Sequence, residues 1–76
     1  MHNERIELNP RVCNGKPVIR GTRIPVTVIV AQLAGGISWK DILEAYPELH
    51  EDDIRAALHY ASDAIEHTDF ADASYG

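Results

Sequence analysis

GKPVIRGTRIPV, residues 15–26, is the stretch on which the reading of the fold turns. It carries three of the chain's seven basic residues, Lys16, Arg20 and Arg23. Pro17 and Pro25 each lack a backbone donor, so any strand here is edge-like or irregular. Asn14-Gly15 leads into the stretch, and this dipeptide is a strong two-residue hairpin signal because both positions accept positive φ. Val12 and Val18-Ile19 are expected to flank that turn. Gly21-Thr22 marks a second bend, with Gly21 as the backbone device for it. Residues 23–26 then read as another short extended piece, with Pro25 a stiff lead into a helix.

Working outward on the N-terminal side, residues 4–8 (ERIEL) alternate polar and apolar. That predicts a short strand with Ile6 and Leu8 on one face, broken at Asn9-Pro10. On the C-terminal side, Val26, Ile29, Val30 and Leu33 fall on one helical face. The β-branched run VTVIV keeps a strand open for the first half of that segment. Thr27 is the expected N-cap, and Gly35-Gly36 the expected stop. A second helix begins after Ser38, where S-x-x-D reaches Asp41 and Ile37 and Ile42 form a hydrophobic staple. Ile42, Leu43 and Tyr46 form its buried side, and Pro47 ends it. A third helix follows His50, with the staple repeated in Leu49 and Ile54. Glu51, Asp52 and Asp53 occupy its first turn, where carboxylates favour the helix dipole. Its stripe is Ile54, Ala57, Leu58, Ala61 and Ile65, and its small residues (Ala56, Ala57, Ala61, Ala64) allow close approach of another helix or chain. It is expected to end near His67.

The fold class is therefore mainly α: a β-hairpin arm over about residues 4–26, then a three-helix, helix–turn–helix part over about 27–67, homeodomain-like or winged-helix-like. Residues 1–67 form one domain and residues 68–76 (TDFADASYG) a frayed acidic tail. The 76-residue length is near the lower limit for an independent core, which favours a homodimer. No apolar run is long enough for a membrane span, the N-terminus has no secretory signal pattern, and the single cysteine excludes an intrachain disulfide. A soluble, cytoplasmic protein is expected. The net charge of −5 is uneven. Residues 1–26 hold five basic residues against two acidic ones, and residues 27–76 hold two against ten. Either the first third carries any nucleic-acid contact, or it packs against the acidic helices within one chain or across a dimer.

Residues 15–26, 33–38 (LAGGIS), 46–49 (YPEL) and 53–61 (DIRAALHYA) together resemble the domain-of-unknown-function family numbered 433, over about residues 6–65. The resemblance implies an antitoxin-like protein with a helix–turn–helix fold. Such a protein binds and occludes a small PIN-like nuclease toxin, with operon DNA binding as a second activity. A stand-alone DNA-binding regulator is the alternative. The chain departs from the ordinary helix–turn–helix reader at one place. Glu51, Asp52 and Asp53 stand where the recognition helix would enter the groove, and carboxylates there repel phosphate. The tail has no Lys or Arg, so it offers no cationic plug for an acidic nuclease centre.

Lys16, Arg20, Thr22 and Arg23 are the candidate DNA- or partner-binding residues. Guanidiniums and a hydroxyl on a tight turn suit phosphate or a partner carboxylate. The competing reading has Arg20 and Arg23 paired with the domain's own acidic helices. Trp39, at the start of the second helix, is the interface candidate. His59, Asp63 and His67 share a helix face, but His59 and His67 are about 12 Å apart by rise, so a solvated face is the expectation and no metal or cofactor is assigned. Cys13 has no activating base nearby and reads as a small strand or turn residue. No nucleophile, P-loop or metalloprotease motif is present, so no enzyme is expected.

Overall fold

The structure, a computed structural model, describes residues 4–66. In chain order these form β1 (Ile6–Glu7), β2 (Val18–Ile19), α1 (Val26–Ala34), α2 (Trp39–Ala45) and α3 (Glu51–Glu66). β1 and β2 pair antiparallel, with Ile6 opposite Ile19 and Glu7 opposite Val18. The expected acidic tail lies outside the described residues. No helix among the described residues is long and apolar enough to cross a membrane.

The arm is built from turns. Asn9 breaks the chain by accepting the Arg11 N–H on its side chain at 2.9 Å and the Val12 N–H on its carbonyl at 2.8 Å. Cys13, Asn14 and Gly15 all have positive φ (50°, 58° and 83°) and form one left-handed turn. The positive φ expected of Asn14-Gly15 is therefore present, and the arm is an antiparallel hairpin as expected, but not one closed by a two-residue turn at Asn14-Gly15. Val12 does not pair with Val18-Ile19; β2 takes β1 as its partner, across a connection of residues 8–17. Leu8 also departs from its expected face. β1 ends at Glu7, the alternation lapses, and Leu8 is 61% exposed.

The second bend is as read. The Thr22 N–H reaches the Ile19 carbonyl at 3.0 Å, with Gly21 at φ 83°. That is a type II turn, whose third residue requires the left-handed region. The Ile19 N–H bonds the Ile24 carbonyl, and Val18 bridges Pro25. Pro25 thus sits at an edge where its missing donor costs nothing.

α1 is helical despite its β-branched start, because Val26 and Ile29 are buried in the core. Thr27 is not its cap. Pro25 precedes the helix directly, and the Val26 N–H bonds the Pro17 carbonyl at 2.9 Å, so the arm itself satisfies an orphan donor. The stop is a Schellman motif: Ile37 N–H to Gln32 O and Gly36 N–H to Leu33 O, both 3.0 Å, with Gly36 at φ 90°. Ser38 Oγ accepts the Asp41 N–H at 3.1 Å and starts α2. Ile42 is fully buried, yet Ile37 stays exposed, so that staple is open on one side. Leu49 and Ile54, by contrast, are both buried at the start of α3. The core joins Ile6 and Ile19 of the ribbon to Ile29, Ile42, Ile54 and Ala57 of the helices. Burial along α3 is confined to its first half. Leu58 and Ile65, expected in the buried stripe, are exposed.

Candidate partner-binding arm

The four arm candidates divide into two kinds. Arg20 is tied to the N-terminal segment. Its N–H bonds the Arg5 carbonyl at 2.8 Å, its Nε donates to the Glu4 carbonyl at 2.6 Å, and its Nη2 donates to the Ile6 carbonyl at 3.3 Å. The guanidinium replaces a missing strand neighbour along β1. Thr22 is committed to the turn, donating to the Ile19 carbonyl at 2.7 Å and accepting the Ile24 N–H at 3.0 Å. Lys16 and Arg23 are exposed, and their side chains have no hydrogen bond or ion pair among the described residues. The same holds for the side chain of Arg11, which the sequence did not single out. Cys13 Sγ lies 3.6 Å from the Arg23 carbonyl, so the left-handed turn between Arg11 and Lys16 is held beside Arg23. The arm's cations whose side chains have no partner among the described residues are therefore Arg11, Lys16 and Arg23, while Arg20, also exposed, is bonded to the carbonyls of the N-terminal segment.

The acidic start of α3 has the opposite character. Asp53 is buried, and its Oδ2 accepts the His50 N–H at 2.9 Å. This is the returning half of a capping box, in which the third helical side chain reaches back to the cap residue. Its Oδ1 accepts from Arg5 Nη1 at 2.7 Å, which fastens the N-terminal segment to α3. The S-x-x-D pattern that revealed Ser38 has a counterpart in His50-x-x-Asp53, where the unusual cap residue hides the signal. Glu51 and Asp52 pair with Arg55 at 3.4 and 3.2 Å, and Asp52 also lies 3.6 Å from Arg5. Arg55 in turn stacks over the Trp39 ring, 5.3 Å from its centroid. Trp39 is half-buried against the core rather than standing free. The positive end of α3 is thus filled by the chain's own carboxylates. A phosphate approaching there would meet negative charge.

His67 lies outside the described residues, so the His59–Asp63–His67 face is only partly described. Among the described residues no three His, Cys, Asp or Glu side chains gather as a metal site.

Residues 6–61 match the model of a family described as protein of unknown function, DUF433. The chain is similar to an uncharacterized protein, y4eO, of Sinorhizobium fredii (strain NBRC 101917 / NGR234): 43% identical over 58 residues, covering 76% of this chain and 26% of that protein. It is also similar to the crystal structure of a DUF433 member protein from Anabaena variabilis ATCC 29413. That likeness has a TM-score of 0.77 and 42% identity, and covers 82% of this chain and 61% of the other. The chain spans about a quarter of the curated relative and about three fifths of the solved one.

Proposed function

Because the chain belongs to the DUF433 family, whose description assigns no function, its role rests on its surface chemistry, and we propose that it is the antitoxin-like member of a type II toxin–antitoxin pair. It acts in the cytoplasm, as a homodimer, by binding a PIN-like nuclease and covering its cleft. The mechanism is occlusion, without catalysis or cofactor. One observation carries this reading: Arg11, Lys16 and Arg23 are exposed on the arm, and their side chains have no internal partner among the described residues. A metal-binding nuclease cleft is lined with carboxylates, and exposed cations complement its charge. The pairing of Glu51, Asp52 and Asp53 with Arg5 and Arg55 supports a protein partner over the ordinary recognition-helix mode.

The test is co-expression with a PIN-like nuclease from the same genome, read by size exclusion and an RNase assay. The expected outcome is a stoichiometric complex with the nuclease silenced. Arg11→Glu/Lys16→Glu/Arg23→Glu should release the activity while keeping the helical circular-dichroism signal. Inhibition that survives the triple substitution would move the contact elsewhere.

A second reading, a DNA-binding regulator that also serves operon repression, uses the same three cations on phosphate. The exposure of those cations favours it, since phosphate contacts are made by Lys and Arg. Anisotropy with labelled DNA from upstream of the gene, at about 50 and 200 mM salt, separates the two, because phosphate contacts weaken steeply over that range.

A further inference from the structure

Between α1 and the second half of α3 runs an apolar groove of about 390 Å³, lined by Val30, Ala31 and Ala34 on one side and Tyr60, Ala61 and Ile65 on the other. We propose that this groove is the dimerisation surface of the domain, and that a second copy of this chain lies in it through α1.

Three observations converge on that occupant. α1 (VTVIVAQLA) contains no charged residue. One of its sides is buried through Val26 and Ile29, while Thr27, Ala31 and Ala34 on its other side are exposed. Apart from Thr27 and Gln32 the helix is apolar on every side, and an uncharged helix of this kind is normally covered on its outer side too. The facing half of α3 continues the apolar surface through Ala61, Ala64 and Ile65, the last 56% exposed. Alanines on both walls leave room for a helix backbone to approach closely, which a bulky side-chain pocket does not.

Charge then selects the copy over a charged partner. A two-fold contact lays each patch against itself, so a patch of one sign repels its own image. The outer arm is cationic and the start of α3 is crowded with carboxylates. The floor of the groove has no ionisable side chain except the Tyr60 phenol. By helical spacing Asp63 and Glu66 fall on the far side of α3 from Ala61 and Ala64. Two chains of net charge −5 can therefore meet here without opposing like charges. Pro17 lines one end of the groove, and Lys16 precedes it. The contact would bring both cationic arms alongside the interface, so that one assembly presents two of them. The inference does not depend on what the arms bind.

Analytical ultracentrifugation of the full chain over a hundredfold concentration range tests it. Ala31 is exposed, so its substitution leaves the monomer's core intact, and circular dichroism checks that it does. The wild-type chain is expected to dimerise. Ala31→Glu and Ala31→Lys should each weaken the dimer at least tenfold, and an equimolar mixture of the two variants should recover it by placing opposite charges across the contact. A wild-type chain that stays monomeric throughout overturns the proposal and leaves the groove to a different protein or to residues 67–76. A dimer indifferent to both substitutions overturns it as well, by placing the interface elsewhere.

Discussion

The arm and the helices satisfy their backbones in different ways. α1, α2 and α3 close local ladders, and side chains cap the starts of α2 and α3: Ser38 on Asp41 N–H, Asp53 on His50 N–H. In the arm the partners are scattered along the chain. Ile19 N–H goes to Ile24 O, Val26 N–H to Pro17 O, and Arg20 reaches across 16 and 14 residues to the Glu4 and Ile6 carbonyls. The difference bears on function. A charged side chain in a region of so few ladder bonds is drafted into backbone work, so formal charge there overstates the charge on offer. Counting cations gives five in the first third of the chain. Arg5 and Arg20 hold the arm to α3 and to β1, and Arg11, Lys16 and Arg23 remain to meet a partner.

The comparison can be broken or sharpened by substitution. The largest effect should come from the helical core. Ile54 is fully buried, and Ile54→Ala should cost about 3 kcal/mol in urea unfolding, a large share of the stability of a domain this small. Asp53→Ala removes the cap on His50 and the partner of Arg5 together. A loss of about 2 kcal/mol is expected, less for Asp53→Asn, which keeps an acceptor for the cap. In the arm, Arg20→Ala should cost about 1 kcal/mol and raise amide exchange in residues 4–7, since its bond to the Glu4 carbonyl is exposed and its bond to the Ile6 carbonyl only part-buried. If Arg20→Ala leaves exchange there unchanged, the division of the arm's cations fails. The smallest effect belongs to Arg23→Ala. Thermal stability should stay within about 0.5 kcal/mol of wild type while binding to the nuclease or to DNA drops. A clear destabilisation would show that Arg23 is structural too.

Much of the fold was legible because its signals are local. Gly35-Gly36 ends α1, Ser38 opens α2, and Gly21 turns the arm, each from the residues within one turn of it. Three local expectations failed for non-local reasons. Asn14-Gly15 took positive φ but spent it inside a longer connection, because β2 found β1 rather than Val12. Thr27 was displaced as a cap by a donor–acceptor pair between Val26 and Pro17. Ile65 continues the apolar period of α3, but the rest of the described chain covers only the first half of that helix.

The four arm candidates named from the sequence have different surroundings in the structure. The side chains of Lys16, Arg23 and Arg11 have no partner among the described residues, whereas those of Arg20 and Thr22 bond within the arm. By itself the sequence determined the three helices, the stop of α1, the start of α2, the turn positions and the uneven charge. Caps, left-handed turns and apolar periodicity act over a few residues and need no partner across space. Only the tertiary structure decided which strand pairs with which, which carboxylate at the start of α3 is buried, and which cations remain available. Those outcomes depend on what lies within hydrogen-bonding reach after the chain has closed. Arg20 and Arg23, three residues apart in the same stretch, differ because the Glu4 and Ile6 carbonyls lie 2.6 and 3.3 Å from the Arg20 guanidinium.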